Sequence, residues 1–353
     1  MLYNEIMKLP PLKSANLKDK AVILRVDFNV PMEDEKILDD SRIKAALPTI
    51  EYILNQGAKK LILISHFGRP DGKVVEELKL APIAEYLAPF LGNHHFQLLD
   101  GPMAGTYFLK PNTYLLENIR FYPQEEVNDP EFAKKLASFG DVFVNDALSV
   151  SHRAHASVVG IAQNLPSYAG LNLEKEVEVL SSIIEDPPKP FVVIIGGIKM
   201  EEKGPAVENL AKVADRVLVG GKVGLDLKLK AQSSNVKTNI ILPQDDIDGF
   251  DIGPKTVEAF IAEIKKAQSI FWNGNLGKSE EEKYSQGTKK VLAAVVQSSA
   301  QLKVAAGGDT LAFINQENCA DKFNFLSLGG GATLEFLSGK NLPGLEVLQE
   351  MSK

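Results

Sequence analysis

The run Ala21-Val22-Ile23-Leu24-Arg25-Val26-Asp27-Phe28-Asn29-Val30-Pro31 decides how this chain is read. It opens as a mostly apolar, β-branched segment of the kind that is buried on both faces in a parallel sheet. It closes on a carboxylate, an amide and a proline, where an open α/β sheet puts its ligands, beyond the carboxyl end of a strand. Working outward, the same form recurs, and strands are predicted at 21–28, 61–67, 113–117, 141–145, 190–195, 216–219, 269–272, 304–306 and 323–328. Amphipathic segments at 41–56, 81–91, 129–139, 174–185, 256–267 and 280–298 read as helices. The alternation predicts an α/β fold with parallel sheets. The proline cluster Asp186-Pro187-Pro188-Lys189-Pro190 directly precedes a strand and marks a domain boundary, with 174–185 as the connecting helix.

A length of 353 residues with 44% apolar and 24% charged side chains suits two ordinary hydrophobic cores. The balance of 39 basic against 46 acidic residues, net −7, argues against a general nucleic-acid coat or a basic membrane surface. The one cysteine, Cys319, can form no internal disulfide and stands in no metal-ligand spacing, which suits a reducing compartment. Met1-Leu2-Tyr3-Asn4-Glu5 lacks the basic stretch and apolar run of a signal peptide, and no apolar run approaches the ~20 residues of a membrane span. The expectation is a soluble, cytoplasmic protein.

Only six basic residues are arginine, and five of them, Arg25, Arg42, Arg69, Arg120 and Arg153, fall in the first 153 residues. Where lysine serves for solubility, arginine is kept for sites that need its planar fork on phosphate or carboxylate. Their neighbours support that reading. Besides the first strand tip, three more end on Ser65-His66-Phe67-Gly68-Arg69-Pro70, on Glu117-Asn118-Ile119-Arg120-Phe121, and on Asn145-Asp146-Ala147 followed by Ser151-His152-Arg153-Ala154-His155. Arg42 opens the helix after the first strand and can lean over the same edge. One strand-end arginine is ordinarily a surface ion pair; four strand tips of this kind describe a small, strongly anionic ligand. His152 and His155 have the spacing of a metal pair, but Arg153 between them would repel a dication.

The second half carries glycines at its strand ends: Gly196-Gly197-Ile198-Lys199, Gly220-Gly221, Gly274-Asn275-Leu276-Gly277, Gly307-Gly308-Asp309-Thr310 and Gly329-Gly330-Gly331. Any one cluster is explained by a tight turn. Five together, with Lys or Asp nearby, read as a nucleotide site in which backbone amides approach phosphate. Two familiar patterns fail. Gly277-Lys278-Ser279 resembles the end of a P-loop, but Trp272 stands at the required first glycine; Gly329-x-Gly331 resembles a dinucleotide fingerprint, but Leu334 stands at its third glycine.

Taken in order, these motifs resemble the phosphoglycerate kinase family from about Leu24 to Leu345, nearly the whole chain. The resemblance implies two Rossmann-like domains joined by an interdomain helix and hinge, with a cleft between them. It divides the chain into a glycerate-binding domain at 1–170, a hinge at 171–188, a nucleotide domain at 189–335 and a tail at 336–353 that packs back on the first domain. It implies reversible phosphoryl transfer between 1,3-bisphosphoglycerate and Mg-ADP, giving 3-phosphoglycerate and ATP, by a monomer with no nucleic-acid or membrane partner. Asp27, Phe28, Asn29, Arg42, His66, Phe67, Gly68, Arg69, Arg120 and Arg153 then fall at positions that hold the glycerate ligand. Lys203, Gly249, Asn273, Glu280, Gly307, Gly308, Asp309 and Thr310 fall at nucleotide positions, with Asp309 toward magnesium. Arg42, Lys199, Gly330 and Gly331 are implied to stabilise the phosphoryl group in flight.

The nucleotide half departs from the family pattern. The chain is shorter than most members, and Gly220-Gly221-Lys222-Val223-Gly224 replaces a triple glycine with Met-Ala. The stretch 225–249 is compressed. Asn275 replaces proline, Ile198 a small residue, and Lys278-Ser279 two apolar residues. Adenine contacts are therefore the open part of the reading, and a relaxed choice of base is expected. Two other readings remain: an anion-binding protein that lost its nucleotide site, and a P-loop-like NTPase using Lys278.

Overall fold

The apolar runs become strands because both their faces are covered: Val22, Ile23 and Leu24 are fully buried, and so are Val193, Ile194 and Ile195 in the second half. A computed structural model describes residues 7–93, 97–99, 105–231 and 237–350; the reading of Met1-Leu2-Tyr3-Asn4-Glu5, and parts of 1–170, 225–249 and 336–353, lie outside them. The described chain separates into two compact units, one of residues 178–340 and one of residues 7–177 with 341–350. The helix Leu171–Glu185 runs from one into the other. Among the described residues no helix is long and apolar enough to cross a membrane.

The first unit is built on a seven-stranded sheet in the order 97–99, 106–110, 113–116, 60–64, 21–25, 142–145, 167–169. The five strands from 113–116 to 167–169 are parallel, as the sequence predicts. The other two are an antiparallel edge that the sequence reading missed: 106–110 turns back onto 113–116 through Pro111 and Asn112, whose φ is +64°. The order reverses at the strand Ala21–Arg25, between 60–64 and 142–145, and such a switch point opens a crevice at the strand ends. The second unit has a wholly parallel six-stranded sheet, 240–241, 216–219, 191–195, 269–273, 302–306, 325–327, reversing between 191–195 and 269–273. Trp272, the largest fully buried side chain, lies at the centre of its core with Val192, Phe260 and Leu292.

Helices start where the local chemistry satisfies their free amides. Asp129 caps Pro130–Ala137 by accepting the Phe132 N–H at 2.8 Å, with proline at the first helical position. Asp146, buried, does the same for Leu171–Glu185 from a distant loop, accepting the Asn172 and Leu173 N–H groups at 2.9 and 3.3 Å. Four helices of eight residues or more escape the sequence pattern: Met200–Leu210, which contains Gly204 and Pro205, Gly221–Ala231, which contains Gly224, Gly308–Gln316 and Pro343–Glu350. Glycine and proline inside a segment read as breakers; in the first two the packing overrides them.

Candidate active site

The register sets Arg25 level with Ile64 and Asn145, so the loops after these three strands leave one sheet edge side by side. Asp27 anchors the first loop. Its carboxylate accepts the Asn29 N–H at 3.0 Å, the Ser149 hydroxyl, and Arg42 Nη1 at 2.5 Å. Arg42, in the first turn of the helix Ser41–Asn55, also donates to the Asn29 carbonyl at 3.1 Å. Asn29 Oδ1 accepts the Gly68 N–H at 2.9 Å and so ties the first loop to the second. Asn118 ties the second to the third: its Oδ1 accepts the Phe67 and Arg120 N–H groups, and its Nδ2 donates to the Phe67 carbonyl at 2.7 Å. Arg120 Nη1 donates to the Gly68 carbonyl at 2.8 Å, and its Nε lies 3.2 Å from the Glu126 carboxylate. Arg153 Nε donates to His152 Nε2 at 3.1 Å. Arg69 is exposed, with no hydrogen bond or ion pair to the described residues. The Phe28 and Phe67 side chains are core, so what these two positions offer a ligand is backbone.

A second layer lies underneath, and the sequence reading missed most of it. Arg25 and Glu125 are fully buried. Arg25 Nε donates to Ser157 Oγ at 3.0 Å; Ser157 returns its hydroxyl and its N–H to Glu125 at 2.5 and 2.9 Å. Arg25 Nη2 lies 3.2 Å from His66 Nδ1, and His155 Nδ1 lies 3.6 Å from Glu125. Burial pushes the Glu125 carboxyl up, and the Arg25 charge pulls it back. Burial, then the charges of Arg25, Arg120 and Arg42, hold His66 well below its ordinary value; burial, then Arg120 and Arg25, bring His155 to about 3. Both imidazoles are therefore neutral at neutral pH, and two bulky polar rings stand among the guanidinium groups without adding charge. Glu125 was invisible because Pro123-Gln124-Glu125-Glu126 reads as a solvated acidic turn, which is true of Glu126 only.

In the second unit the strands end level at Ile195, Asn273, Ala306 and Ser327. The glycines that follow divide into two kinds. A Cβ on Gly196 would lie 2.2 Å from the Asn275 carbonyl oxygen, and one on Gly274 2.2 Å from that of Gly196. The loops they belong to interlock: the Gly197 N–H donates to the Asn275 carbonyl at 2.8 Å, and the Val223 N–H to that of Gly197 at 3.1 Å. For these glycines the tight-turn explanation holds, and the expectation that all five clusters serve a nucleotide narrows. At Gly308, Gly330 and Gly331 nothing lies within 4 Å of an added Cβ. Gly307 and Gly330 immediately precede the helices Gly308–Gln316 and Gly331–Leu337, so the space over two helix starts is open.

Buried Asn273 joins these parts: its Nδ2 donates to the Ala306 carbonyl at 2.9 Å and its Oδ1 accepts Lys203 Nζ. Burial brings Lys203 down to about 8, against the pull of Glu202 and Asp309. Thr310 Oγ1 accepts the Gly274 N–H at 2.7 Å, and Asp309 is exposed in the first helical turn. Lys199, just before the helix Met200–Leu210, is exposed and pairs with Glu202 at 2.7 Å. Gly249 lines a small surface pocket with Leu225, Pro243, Asp246, Phe250, Asp251 and Ile252. Glu280 is exposed and shares no hydrogen bond or ion pair with this group. Lys278 pairs with Glu281, and no α-helix begins until Gln286, so the P-loop reading fails on geometry. Among the described residues no three His, Cys, Asp or Glu side chains form a group able to hold a metal ion.

Comparison with known proteins completes the picture. A family model described as phosphoglycerate kinase matches residues 12–246 and 225–340. Phosphoglycerate kinases of Dictyoglomus turgidum and Moorella thermoacetica are each 40% identical over 389 aligned positions, covering 96% of this chain and 98% of each relative. That alignment is longer than the chain, so these relatives carry segments that it lacks. The solved phosphoglycerate kinase of Coxiella burnetii superposes with a TM-score of 0.85 at 35% identity, covering 98% of this chain and 100% of that one. That of Pyrococcus horikoshii gives 0.82 at 30% identity, covering 98% and 99%. With its two switch-point sheets, an arginine-rich edge on the first and open helix starts on the second, the chain belongs to the phosphoglycerate kinase family of glycolytic phosphotransferases, which act on 3-phosphoglycerate and ADP or ATP.

Proposed function

We propose that this chain, acting as a cytoplasmic monomer, transfers a phosphoryl group reversibly between 1,3-bisphosphoglycerate and ADP, with the glycerate ligand on the arginine edge of the first unit. The observation that carries the reading is the set of guanidinium groups at that edge, fixed by loop-to-loop hydrogen bonds while Arg69 stays unpaired. Asp27, Asn29 and His66 complete the cradle, with the backbone of Phe28, Phe67 and Gly68. An acyl phosphate is an activated donor and a carboxylate needs no deprotonation, so the reaction requires no general base. Catalysis reduces to aligning two anions and offsetting charge on the group in transit. Arg42, held by Asp27, and exposed Lys199 supply the positive charge, and the open starts at Gly330 and Gly331 supply backbone donors.

Lys203, Asn273, Gly307, Gly308 and Thr310 hold the nucleotide phosphates in this reading, with Glu280 on the ribose side. Asp309 is one exposed carboxylate without the partners of a complete metal cage, which fits magnesium bound mainly by phosphates and water. Bound there, the ion would offset phosphate charge, and Asp309 would contribute one oxygen ligand. The pocket at Gly249 takes the base. Its apolar walls, Leu225, Pro243, Phe250 and Ile252, sort shape, and its two carboxylates, Asp246 and Asp251, are engaged by the backbone N–H groups of Gly249, Ile252 and Gly287.

A coupled assay with ATP and 3-phosphoglycerate tests the reading as a whole. ATP hydrolysis without glycerate, or glycerate binding without turnover, would replace it with one of the other two. Arg69→Ala and Arg153→Ala should each weaken 3-phosphoglycerate binding by ~1.5–3 kcal/mol, the loss of a charged hydrogen bond. Calorimetric titration reads this directly, and unchanged curves would make the edge structural. GDP should turn over with kcat/KM within about tenfold of ADP. A preference for ADP above roughly a hundredfold would show that the pocket reads the base edge.

A further inference from the structure

We infer that Arg25 is a positioning residue that fixes His66 as the tautomer protonated on Nε2, so that the ring presents a neutral N–H donor to the anionic ligand. The inference rests on the proposed glycerate site and deepens it. Its basis is the direction of one hydrogen bond. Arg25 Nη2 lies 3.2 Å from His66 Nδ1, and both side chains are buried. A guanidinium has five donors and no acceptor, so Nδ1 must accept and carry no proton. The ring proton of the neutral imidazole then sits on Nε2, which has no hydrogen bond within the described residues.

Arg25 cannot swing away. Its Nη1 donates to the Val26 and Ile64 carbonyls and its Nε to Ser157, whose hydroxyl is held in turn by Glu125. The chain Glu125–Ser157–Arg25–His66 thus sets a proton position from beneath the site. The charged groups around His66 work the same way. Arg25 at the end of its own strand, Arg42 on the helix Ser41–Asn55 and Arg120 on the turn Ile119–Phe121 all oppose a second proton, and His155, neutral beside the turn Ala156–Gly160, offers no negative charge; the buried acid of this layer, Glu125, is committed to Ser157. A neutral donor adds a hydrogen bond to an anion without adding to the repulsion among the arginines.

The test uses the full-length protein labelled with ¹⁵N-histidine, with His66→Gln assigning the signals among five histidines. Nitrogen shifts report directly which ring nitrogen carries the proton. The expected result is His66 with bare Nδ1 and protonated Nε2, unchanged from about pH 5.5 to 8.5, where a free imidazole titrates near 6.5. A protonated Nδ1, or a midpoint inside that range, overturns the inference. In Arg25→Met/Glu125→Gln, which removes both buried charges together, the tautomers should mix and the 3-phosphoglycerate KM rise by about fivefold or more with kcat within about twofold. A folded double variant that keeps the wild-type tautomer and KM also overturns it. His66→Ala separates the two levels. If it leaves glycerate affinity unchanged, the glycerate reading fails at His66 whatever the tautomer; if it weakens affinity while the tautomer is wrong, only the role of Arg25 fails.

Discussion

Replacing Glu125 with alanine should destabilise the first unit by about 3–5 kcal/mol, the cost of removing one partner from a buried charged network. The carboxylate is fully buried and takes both the hydroxyl and the N–H of Ser157. Without it, the fully buried Arg25 loses the largest negative charge acting on it, and the Ser157 N–H loses its acceptor. Glu125→Gln keeps an acceptor for Ser157 but not the charge, and should cost less. Urea titration of both variants measures the difference as a shift in midpoint at constant slope. A loss below about 1 kcal/mol for the alanine variant would mean that Arg25 finds its counter-charge elsewhere, with Asp27 the nearest candidate.

The second large effect is on rate. Lys199→Ala should lower kcat by at least about 100-fold while 3-phosphoglycerate binding stays within about twofold, because the charge it offsets develops only in the transition state. The surroundings of Lys199 make the result clean. Its ammonium is exposed and, among the described residues, pairs only with Glu202, three residues along the chain. Breaking such a pair costs at most about 1 kcal/mol, so a folding defect cannot imitate the loss. Circular dichroism and glycerate titration run beside the kinetics separate the two. Near-native kcat would remove Lys199 from the chemistry.

What the sequence announces and what it hides follow from one distinction. The central strands were legible because burial on both faces leaves an unbroken apolar run, as in Phe191–Ile195. Arg69, Arg120 and Arg153 were legible as a group because strand ends of a parallel sheet come out together. Arg25 lies in the same kind of motif yet points inward, and nothing local distinguishes it; its partners Glu125 and Ser157 are 100 and 132 positions away. The glycines taught a similar lesson. Gly196 and Gly330 look alike in the sequence, but one is crowded by a neighbouring backbone and the other has open space around it. Only the neighbours across the fold decide which reading is true.

The grouping of residues 341–350 with 7–177 has a consequence for biosynthesis. The helix Pro343–Glu350 sets Gly344 against Ser151, where a Cβ would come within 2.8 Å of the Ser151 backbone, and places Val347 in the cluster of Ile23, Phe143 and Val158. The ribosome delivers residues 7–177 first, yet withholds the last piece of that unit's core until residues 178–340 have been made. At about 5–20 residues per second that interval is roughly ten to thirty seconds. During it the earlier unit waits with an uncovered apolar seam, while the later one has every residue it needs. The unit begun first is completed last, and translation speed sets how long the nascent chain must be shielded.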